Sequence, residues 1–280
     1  MSYPGGKSGA GVYQRLINEI PPHSIYVAGF AGHDAIARYK RPAARNILID
    51  LDPEPLDWWA KYLRSQDGES VDDAGWELHN CSGVEWLRYQ FGLTQVLGVE
   101  SGDPAATSNR STSAAELLGA PDPATVDRAS RYRDWFVFLD PPYVMSSRSG
   151  GPMYRHEMTD AEHAELLRVV RMLPCKVMLC GYWSEIYAKA LHDWRVVEYT
   201  SVARSGEKRT EYAWCNYRTP SELHDTRFVG GDKREREKIR RRIKRLSSNL
   251  GQLAPHERQA VIDAVRRIQP TDLATTPGES

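Results

Sequence analysis

Four consecutive residues, Asp140, Pro141, Pro142 and Tyr143, combine groups that can bind a ligand with groups that hold them in place. Asp140 offers acceptor oxygens for hydrogen bonds. The two prolines restrict φ and stiffen the turn that presents the acid, and Tyr143 offers a flat ring for stacking. The tetrad predicts a rigid ligand-binding turn; the alternative is a proline turn that only ends a strand.

The element that must carry this turn is the apolar run at residues 136–139. A short apolar run bounded by a proline pair indicates a buried parallel strand. Open α/β sheets bind ligands in the crevice beyond the carboxyl ends of their strands. The tetrad is therefore expected at the ligand-binding edge of such a sheet.

A second candidate site lies closer to the N-terminus. Residues 24–28 predict a strand, a turn with Phe30 and Gly32 follows, and residues 35–40 predict an amphipathic helix. Glycines in a strand–turn–helix unit let the backbone approach a nucleotide-type ligand closely. This is the opening unit of a nucleotide-binding α/β fold.

The next predicted strand ends in two acids, Asp50 and Asp52. An acid at the end of the second strand is in position to accept hydrogen bonds from ribose hydroxyls. Asp52 precedes Pro53, a pairing typical of a helix N-cap and first helical residue. Asp50 is therefore the better candidate ligand.

The rest of the pattern alternates helices with strands, which predicts an α/β fold. The expected architecture is Rossmann-like, with a mostly parallel sheet and a closing antiparallel hairpin. The further helices are predicted at 56–63, 84–91, 160–172 and up to Leu191, and the further strands at 76–79, 176–180, 194–200 and 210–217.

Composition limits the class of protein. The chain has 280 residues, 41% hydrophobic and 26% charged, and zero net charge, as expected of a globular protein with a sizeable core. Its four cysteines form no C-x-x-C pair, so neither a zinc site nor a disulfide framework is predicted. No apolar run has the length of a membrane span, and the chain is expected to be cytoplasmic.

The neutral total hides a basic C-terminal region. Residues 232–268 contain 12 lysines and arginines and 5 acidic residues, whereas the rest of the chain contains 25 and 32. Two helices are predicted there, 233–250 and 255–268, the first with an apolar stripe among its arginines. Clustered cations of this kind favour binding to nucleic-acid phosphates; the alternative is a solvated helix face.

Basic residues in three regions are the predicted contacts to nucleic acid. The first region is a loop at 144–158, the second a loop at 201–209 between the last two strands, and the third the basic helix. These residues are Arg148, Arg155, Arg204, Lys208, Arg209, Arg241, Arg242 and Arg245.

Taken in order, the motifs resemble the Dam-like family of adenine-N6 DNA methyltransferases. Single motifs of this kind are common, but the ordered series is specific, and it covers roughly residues 1–90 and 134–218. The series is Tyr3-Pro4-Gly5-Gly6-Lys7, Phe30-Ala31-Gly32, Asp50, Asp140-Pro141-Pro142-Tyr143, His156-Glu157-Met158-Thr159 with His163, Gly181-Tyr182 and Arg209-Thr210-Glu211.

The resemblance implies a class I methyltransferase core that uses S-adenosylmethionine. By position, the N-terminal aromatic residue and lysine pack on the cofactor, the glycine turn wraps its methionine part, and the acid after the second strand holds its ribose. The implied cofactor-binding residues are Tyr3, Lys7, Phe30, Gly32, Asp50, Ser82 and Asp140.

The resemblance also implies roles in catalysis. Acceptors from Asp140 and the Pro141 carbonyl region would bind both hydrogens of adenine N6, and Tyr143 would stack on the flipped-out base. Pro142 completes the catalytic tetrad. The expected partners are double-stranded DNA and a restriction enzyme, with the chain itself a monomer or weak dimer.

Three other functions stay open. Cytosine-N4 methylation of DNA and adenine-N6 methylation of RNA use the same chemistry. A catalytically degenerate DNA-binding module is the third, because Ala28, Gly29 and Ser82 differ from the family pattern. The predicted domains are a methyltransferase core at 1–91 and 134–218, an insert for target recognition at 92–133, and a basic helical tail with a disordered end at 219–280.

Overall fold

The computed structural model describes residues 7–9, 11–67, 75–93, 128, 130–147, 155–202 and 206–268. The chain divides into two compact units, Met1–Arg227 and Phe228–Ser280. A seven-stranded sheet forms the centre of the first unit. In the described ranges, no helix is long and apolar enough to cross a membrane.

The strands of this sheet are numbered in chain order. They are β1 (Ile25–Ala28), β2 (Arg45–Asp50), β3 (Trp76–Asn80), β4 (Trp135–Leu139), β5 (Lys176–Gly181), β6 (Arg195–Val202) and β7 (Lys208–Cys215). Their spatial order is β3-β2-β1-β4-β5-β7-β6. β7 runs in the opposite direction to the other six strands. The predicted α/β class, with a mostly parallel sheet and a closing antiparallel hairpin, is confirmed.

The α-helices of the described residues are numbered in the same way. They are α1 (Val12–Ile17), α2 (Ala35–Tyr39), α3 (Pro53–Asp67), α4 (Gly83–Gln90), α5 (Asp160–Arg171), α6 (Glu185–Ala190), α7 (Lys233–Gln252) and α8 (Pro255–Arg267). The helix α1 was not predicted. The hairpin loop is shorter than predicted, because Lys208 and Arg209 already belong to β7.

Local capping fixes where several helices begin. The Ser82 hydroxyl accepts a hydrogen bond from the Glu85 amide at the start of α4 (3.4 Å). Thr159 and Glu162 form a reciprocal capping box at the start of α5, which satisfies two backbone donors that a helix start leaves open. Asp52 caps α3 by accepting a hydrogen bond from the Glu54 amide (3.1 Å).

The reversal of strand order lies between β1 and β4. β1 pairs in parallel with β2 on one side and with β4 on the other, so Val27 lies beside both Ile47 and Val137. Parallel strands end at the same edge, and the crevice at such a switch point is where open α/β sheets bind ligands. The sheet thus brings the residues that follow β1, β2 and β4 to one place.

Burial in the core keeps this edge rigid. All five residues of β4 are buried, and its Val137 and Leu139 belong to one cluster with Leu166 and Val170 of α5. A strand buried on both faces reads as a continuous apolar run, as residues 136–139 do.

The boundary between the two units differs from the predicted one. The His224 amide donates to the Ile20 carbonyl oxygen (2.9 Å), and the Asp225 carboxylate accepts from the Arg41 amide (2.8 Å). Residues 219–227 therefore belong to the first unit, although the sequence analysis assigned them to the tail.

The second unit consists of α7 and α8, neither of which has buried residues. Along α7, Ile243 and Leu246 are each 53% exposed. Most of the predicted insert at 92–133 and the predicted disordered end lie outside the described residues.

Candidate active site

A cleft of about 300 Å³ opens at the carboxyl ends of β1 to β4, a volume at the lower end of small-molecule sites. Six residues of the sequence prediction line it. These lining residues are Phe30, Gly32, Asp50, Ser82, Asp140 and Pro142. The turn at Asp50 and the turn at Asp140, which lie about ninety residues apart in the sequence, therefore share one site.

Asp50, the last residue of β2, is held in the cleft by the backbone. Its Oδ2 accepts a hydrogen bond from the Gly32 amide (2.7 Å), and its Oδ1 accepts one from the Asp52 amide (2.9 Å). Burial raises the pKa of Asp50, although the backbone donors oppose this effect. An ionised carboxylate has about four acceptor positions, so Asp50 keeps acceptor capacity for ribose hydroxyls.

Glycines bring the backbone close around Asp50. A Cβ on Gly83 would lie 1.9 Å from the Gly29 carbonyl oxygen, and a Cβ on Gly29 would lie 2.5 Å from Cδ2 of Leu139. Gly32 adopts a positive φ of 41°, which glycine tolerates best. The first turn of α4 and the turn after β1 therefore pack together only because these positions lack side chains.

Two of the positions that differ from the family pattern, Gly29 and Ser82, have structural roles here, as does Asp34 in the same turn as Gly29. Gly29 fits the close packing against Leu139, and Ser82 caps α4. Asp34 caps α2 by accepting from the Ile36 amide (2.7 Å) and also accepts from the Tyr26 hydroxyl (2.8 Å). Asp34 and Ser82 line the cleft, and Gly29 packs behind it.

Asp140, the first residue after β4, lies at the centre of a buried ionic cluster. The Lys7 ammonium donates to Asp140 Oδ1 (2.8 Å) and forms an ion pair with Glu211 Oε2 (3.0 Å). Glu211 Oε2 also accepts from the hydroxyls of Tyr143 (2.6 Å) and Tyr199 (3.0 Å). We call these five residues the Lys7 cluster.

The charged groups of the Lys7 cluster shift one another's pKa values. Burial lowers the pKa of Lys7, but the carboxylates of Asp140 and Glu211 outweigh it and raise that pKa above its ordinary value. Burial raises the pKa of Glu211, but the Lys7 ammonium outweighs it and lowers that pKa to about 2. For Asp140, burial dominates and raises the pKa, with Lys7 opposing. At neutral pH the cluster thus holds the Lys7 ammonium paired with the Glu211 carboxylate, beside the Asp140 carboxyl group, whose pKa is raised by burial.

Tyr143 differs from its predicted role. Its side chain is 9% exposed, its ring lies edge-on to Tyr182 with centroids 4.6 Å apart, and its hydroxyl contacts Lys7 and Glu211. The ring therefore presents no open face for a base, which corrects the stacking role assigned to it. The cause is long-range packing: the hydroxyl completes the hydrogen bonding of the buried ion pair.

The cleft as a whole is acidic. Among its described lining residues, one arginine faces eight carboxylates: Asp34, Asp50, Asp52, Glu85, Asp140, Glu157, Glu162 and Glu165. A cleft lined by one sign of charge concentrates ligands of the opposite sign. The site therefore favours a cationic ligand.

The predicted nucleic-acid contacts are spread over the described chain. Arg155 forms an ion pair with Asp52 (3.0 Å), which ties it to the start of α3 beside the cleft. Lys208 and Arg209 begin β7, where Arg209 pairs with Glu207 (2.6 Å). Arg241, Arg242 and Arg245 are exposed on α7. Tyr3, Arg148 and Arg204 lie outside the described residues.

Two members of the Lys7 cluster were not predicted as site residues. Glu211 was quoted only as part of a motif, and Tyr199 was not singled out. The available signal was an acid and a tyrosine on opposed strands, since Tyr199 pairs with Glu211 in the β6–β7 ladder. Among the described residues, no group of His, Cys, Asp and Glu has the arrangement of a metal site.

No protein-family model matches the chain, and no curated protein matches it. Solved structures with a similar arrangement include an S-adenosylmethionine-dependent methyltransferase from Agrobacterium tumefaciens, with TM-score 0.39, 9% identity, and coverage of 72% of this chain and 58% of that one. The spermidine synthase from Thermotoga maritima gives 0.39, 10%, 75% and 60%. An rRNA methylase from Streptococcus thermophilus gives 0.38, 8%, 72% and 93%.

At TM-scores and identities this low, these likenesses carry no argument about function. The strand order and the cleft of this chain define its class as a Rossmann-like α/β protein with a cleft at the strand ends, where open α/β sheets bind ligands. The chemistry must be inferred from the residues of the cleft and the Lys7 cluster.

Proposed function

We propose that the protein transfers a methyl group from S-adenosylmethionine to N6 of adenine, in a base flipped out of DNA. The observation that carries this proposal is that Asp140 of the Asp-Pro-Pro-Tyr turn and Asp50 of the glycine-rich turn line the same cleft. One acid is available to a ribose and the other to an amino group.

The cleft suits this cofactor by charge and by hydrogen bonding. S-adenosylmethionine, when bound, supplies an electrophilic methyl group on a positively charged sulfur. The excess of carboxylates around the cleft attracts such a cation. Asp50 accepts from ribose hydroxyls, and the close packing of Gly29 and Gly83 leaves backbone rather than side chains at the rim.

Asp140 acts on the target amine. The lone pair of an exocyclic amine on adenine is delocalised into the ring, so the amine is a poor nucleophile. Asp140 and the Pro141 carbonyl would accept hydrogen bonds from its two hydrogens and localise the lone pair towards the methyl carbon. As the bond from N6 to this carbon forms, the bond from the carbon to sulfur would break with its electron pair left on sulfur, S-adenosylhomocysteine would leave, and N6 would release one proton to water. The hydrogen bond from Lys7 uses one of the acceptor positions of Asp140, which leaves capacity for the amine.

The raised pKa of Asp140 strengthens this role. Burial makes its carboxylate more basic than an exposed one, and a more basic acceptor forms a stronger hydrogen bond to a developing positive charge. Lys7 and Glu211 hold the carboxylate in place without touching the base, so we assign them as positioning residues.

DNA is the proposed partner because the base must leave the stack and the second unit is strongly basic. A flipped base exposes the amino group that a duplex conceals. The exposed arginines Arg241, Arg242 and Arg245 on α7 provide a surface for phosphates.

The test is mass spectrometry of nucleosides after incubation of DNA or RNA with the protein and S-adenosylmethionine carrying a deuterated methyl group. Labelled N6-methyladenine from DNA is expected. The variants Asp140→Asn and Asp140→Ala should reduce its formation by about 10²- to 10³-fold, with circular dichroism and thermal unfolding confirming that each variant folds.

The outcomes separate the alternatives. Labelled N4-methylcytosine would keep the chemistry but change the base, and label in RNA alone would change the substrate. No labelled base in either nucleic acid would overturn the proposal in favour of the DNA-binding module. Full activity in Asp140→Asn and Asp140→Ala would overturn the catalytic role assigned to Asp140.

A further inference from the structure

Trp183 is an exposed aromatic side chain at the catalytic edge that the proposed mechanism does not use. It follows β5 by two residues, and its side chain is 53% exposed. Its neighbour Tyr182 contacts the ring of Tyr143 in the Lys7 cluster. Because β4 and β5 are parallel neighbours, Trp183 lies at the same edge of the sheet as Asp140.

The indole of Trp183 packs against two aromatic rings and remains partly exposed to solvent. Its ring centroid lies 5.3 Å from that of Tyr212 at 64° and 6.2 Å from that of Trp214 at 32°. Trp214 is only 1% exposed and contacts Tyr187 of α6. A ring that is already ordered loses little entropy when a ligand stacks on it.

Cations lie at the same edge. β7 runs antiparallel to β5 with Gly181 opposite Tyr212, so the first residues of β7 extend beyond the carboxyl end of β5. These residues are Lys208 and Arg209, and the Lys208 side chain is exposed. An ordered aromatic ring with cations at the same edge of the sheet is the kind of surface that proteins use to bind unpaired nucleotides.

We propose that Trp183 stacks on an unpaired nucleobase of the substrate strand, with Lys208 at the adjoining phosphate. This inference rests on the proposed function in taking the substrate to be nucleic acid. It assigns to Trp183 the stacking contact that the covered ring of Tyr143 cannot make. Any base has a π face, so the contact holds the strand beside Asp140 without selecting the sequence.

The test is fluorescence anisotropy of the full chain with a labelled short single-stranded DNA. Trp183→Ala should raise the dissociation constant by about 5- to 100-fold, the loss expected for one stacked base. Trp183→Phe keeps a ring and should bind within a few fold of the wild type. Tyr89→Ala, which removes an 81% exposed ring outside the cleft lining, should bind as the wild type does.

Two results would overturn the inference. One is Trp183→Ala binding as tightly as the wild type. The other is Trp183→Phe or Tyr89→Ala losing as much affinity as Trp183→Ala, since the loss would then come from packing or from general surface adhesion. Equal melting temperatures of the three variants and the wild type are the expected folding control.

The inference and the proposed function can fail separately. If DNA methylation depends on Asp140 while Trp183→Ala binds oligonucleotide normally, only the stacking role is wrong. If no methyl transfer occurs but Trp183→Ala alone weakens oligonucleotide binding, the stacking role stands and the proposed function fails.

Discussion

Two acids at the edge of the same sheet, Asp50 and Asp140, are held in opposite ways. Asp50 is fixed by backbone amides from its own turn and from Gly32, 18 residues away in the chain. Asp140 is fixed by the Lys7 ammonium, 133 residues away, which Glu211 shares. Within the part of the chain that the structure describes, the hydrogen bonds to Asp50 come from backbone amides, whereas Asp140 belongs to a buried ion cluster.

The difference matches the tasks that we propose for them. An acid that binds ribose hydroxyls needs only correctly placed lone pairs, and backbone amides place it at little electrostatic cost. An acid that acts on an amine must stay ionised in a buried place, which requires a compensating charge. The two sites therefore predict different responses to the loss of a partner.

The largest expected effect follows from removing the cation of the buried cluster. Lys7→Met leaves Asp140 and Glu211 as two buried carboxylates without a counter-charge, so the free energy of unfolding should fall by about 3–5 kcal/mol. Urea denaturation of the variant and the wild type measures this change. Arg171→Ala, which breaks a partly exposed ion pair with Asp193, is the control and should cost about 0–1 kcal/mol.

A loss in Lys7→Met no larger than that in Arg171→Ala would contradict the role of Lys7 as the compensating charge. The site would then resemble an ordinary surface ion pair, and the contrast with Asp50 would disappear.

A smaller effect is expected from pH. The pKa of Glu211 falls from its ordinary 4.5 to about 2 on folding, so Glu211 stabilises the folded state above pH 4.5. This stabilisation is lost as the pH falls from 4.5 towards 2. Asp140 acts in the opposite sense because folding raises its pKa, so the net slope in this range is a difference of two contributions.

Glu211→Gln removes the stabilising contribution of Glu211 and leaves the opposite contribution of Asp140. As the pH falls from 4.5 towards 2, the free energy of unfolding of this variant should therefore fall less than that of the wild type, or rise. Urea denaturation at a series of acidic pH values compares the two slopes. A larger loss of stability on acidification in Glu211→Gln than in the wild type would show that Glu211 is not the group whose protonation destabilises the fold.

The contrast between the two acids also explains what the sequence could predict. The hydrogen bonds that position the Asp50 carboxylate, the Gly32 amide and the Ser82 hydroxyl are local, either to neighbours a few residues away or within one strand–turn–helix unit. Local patterns of helix caps and glycines predict such units directly. The burial of β4 was readable for the same reason, since its apolar run is continuous.

The remaining features depend on contacts between distant segments. The pairing of Lys7 with Glu211, the burial of Tyr143 against Tyr182 and the attachment of His224 to Ile20 have no local signal. The start of β7 was also predicted two residues too late. Lys208 and Arg209 are polar residues, and their strand conformation is set by pairing with β6. All four features are determined by packing between segments that are distant in the sequence.

The measurement that tests the central claim most directly is calorimetric titration of S-adenosylhomocysteine into the wild type and Asp50→Ala. We expect one binding site in the wild type and an affinity at least about 10-fold weaker in Asp50→Ala, because a hydrogen bond to a charged acceptor is lost. Asp57→Ala, on the exposed side of α3, should bind as the wild type does. No heat in the wild type, or equal affinity in Asp50→Ala, would contradict the assignment of this cleft to the methyl donor.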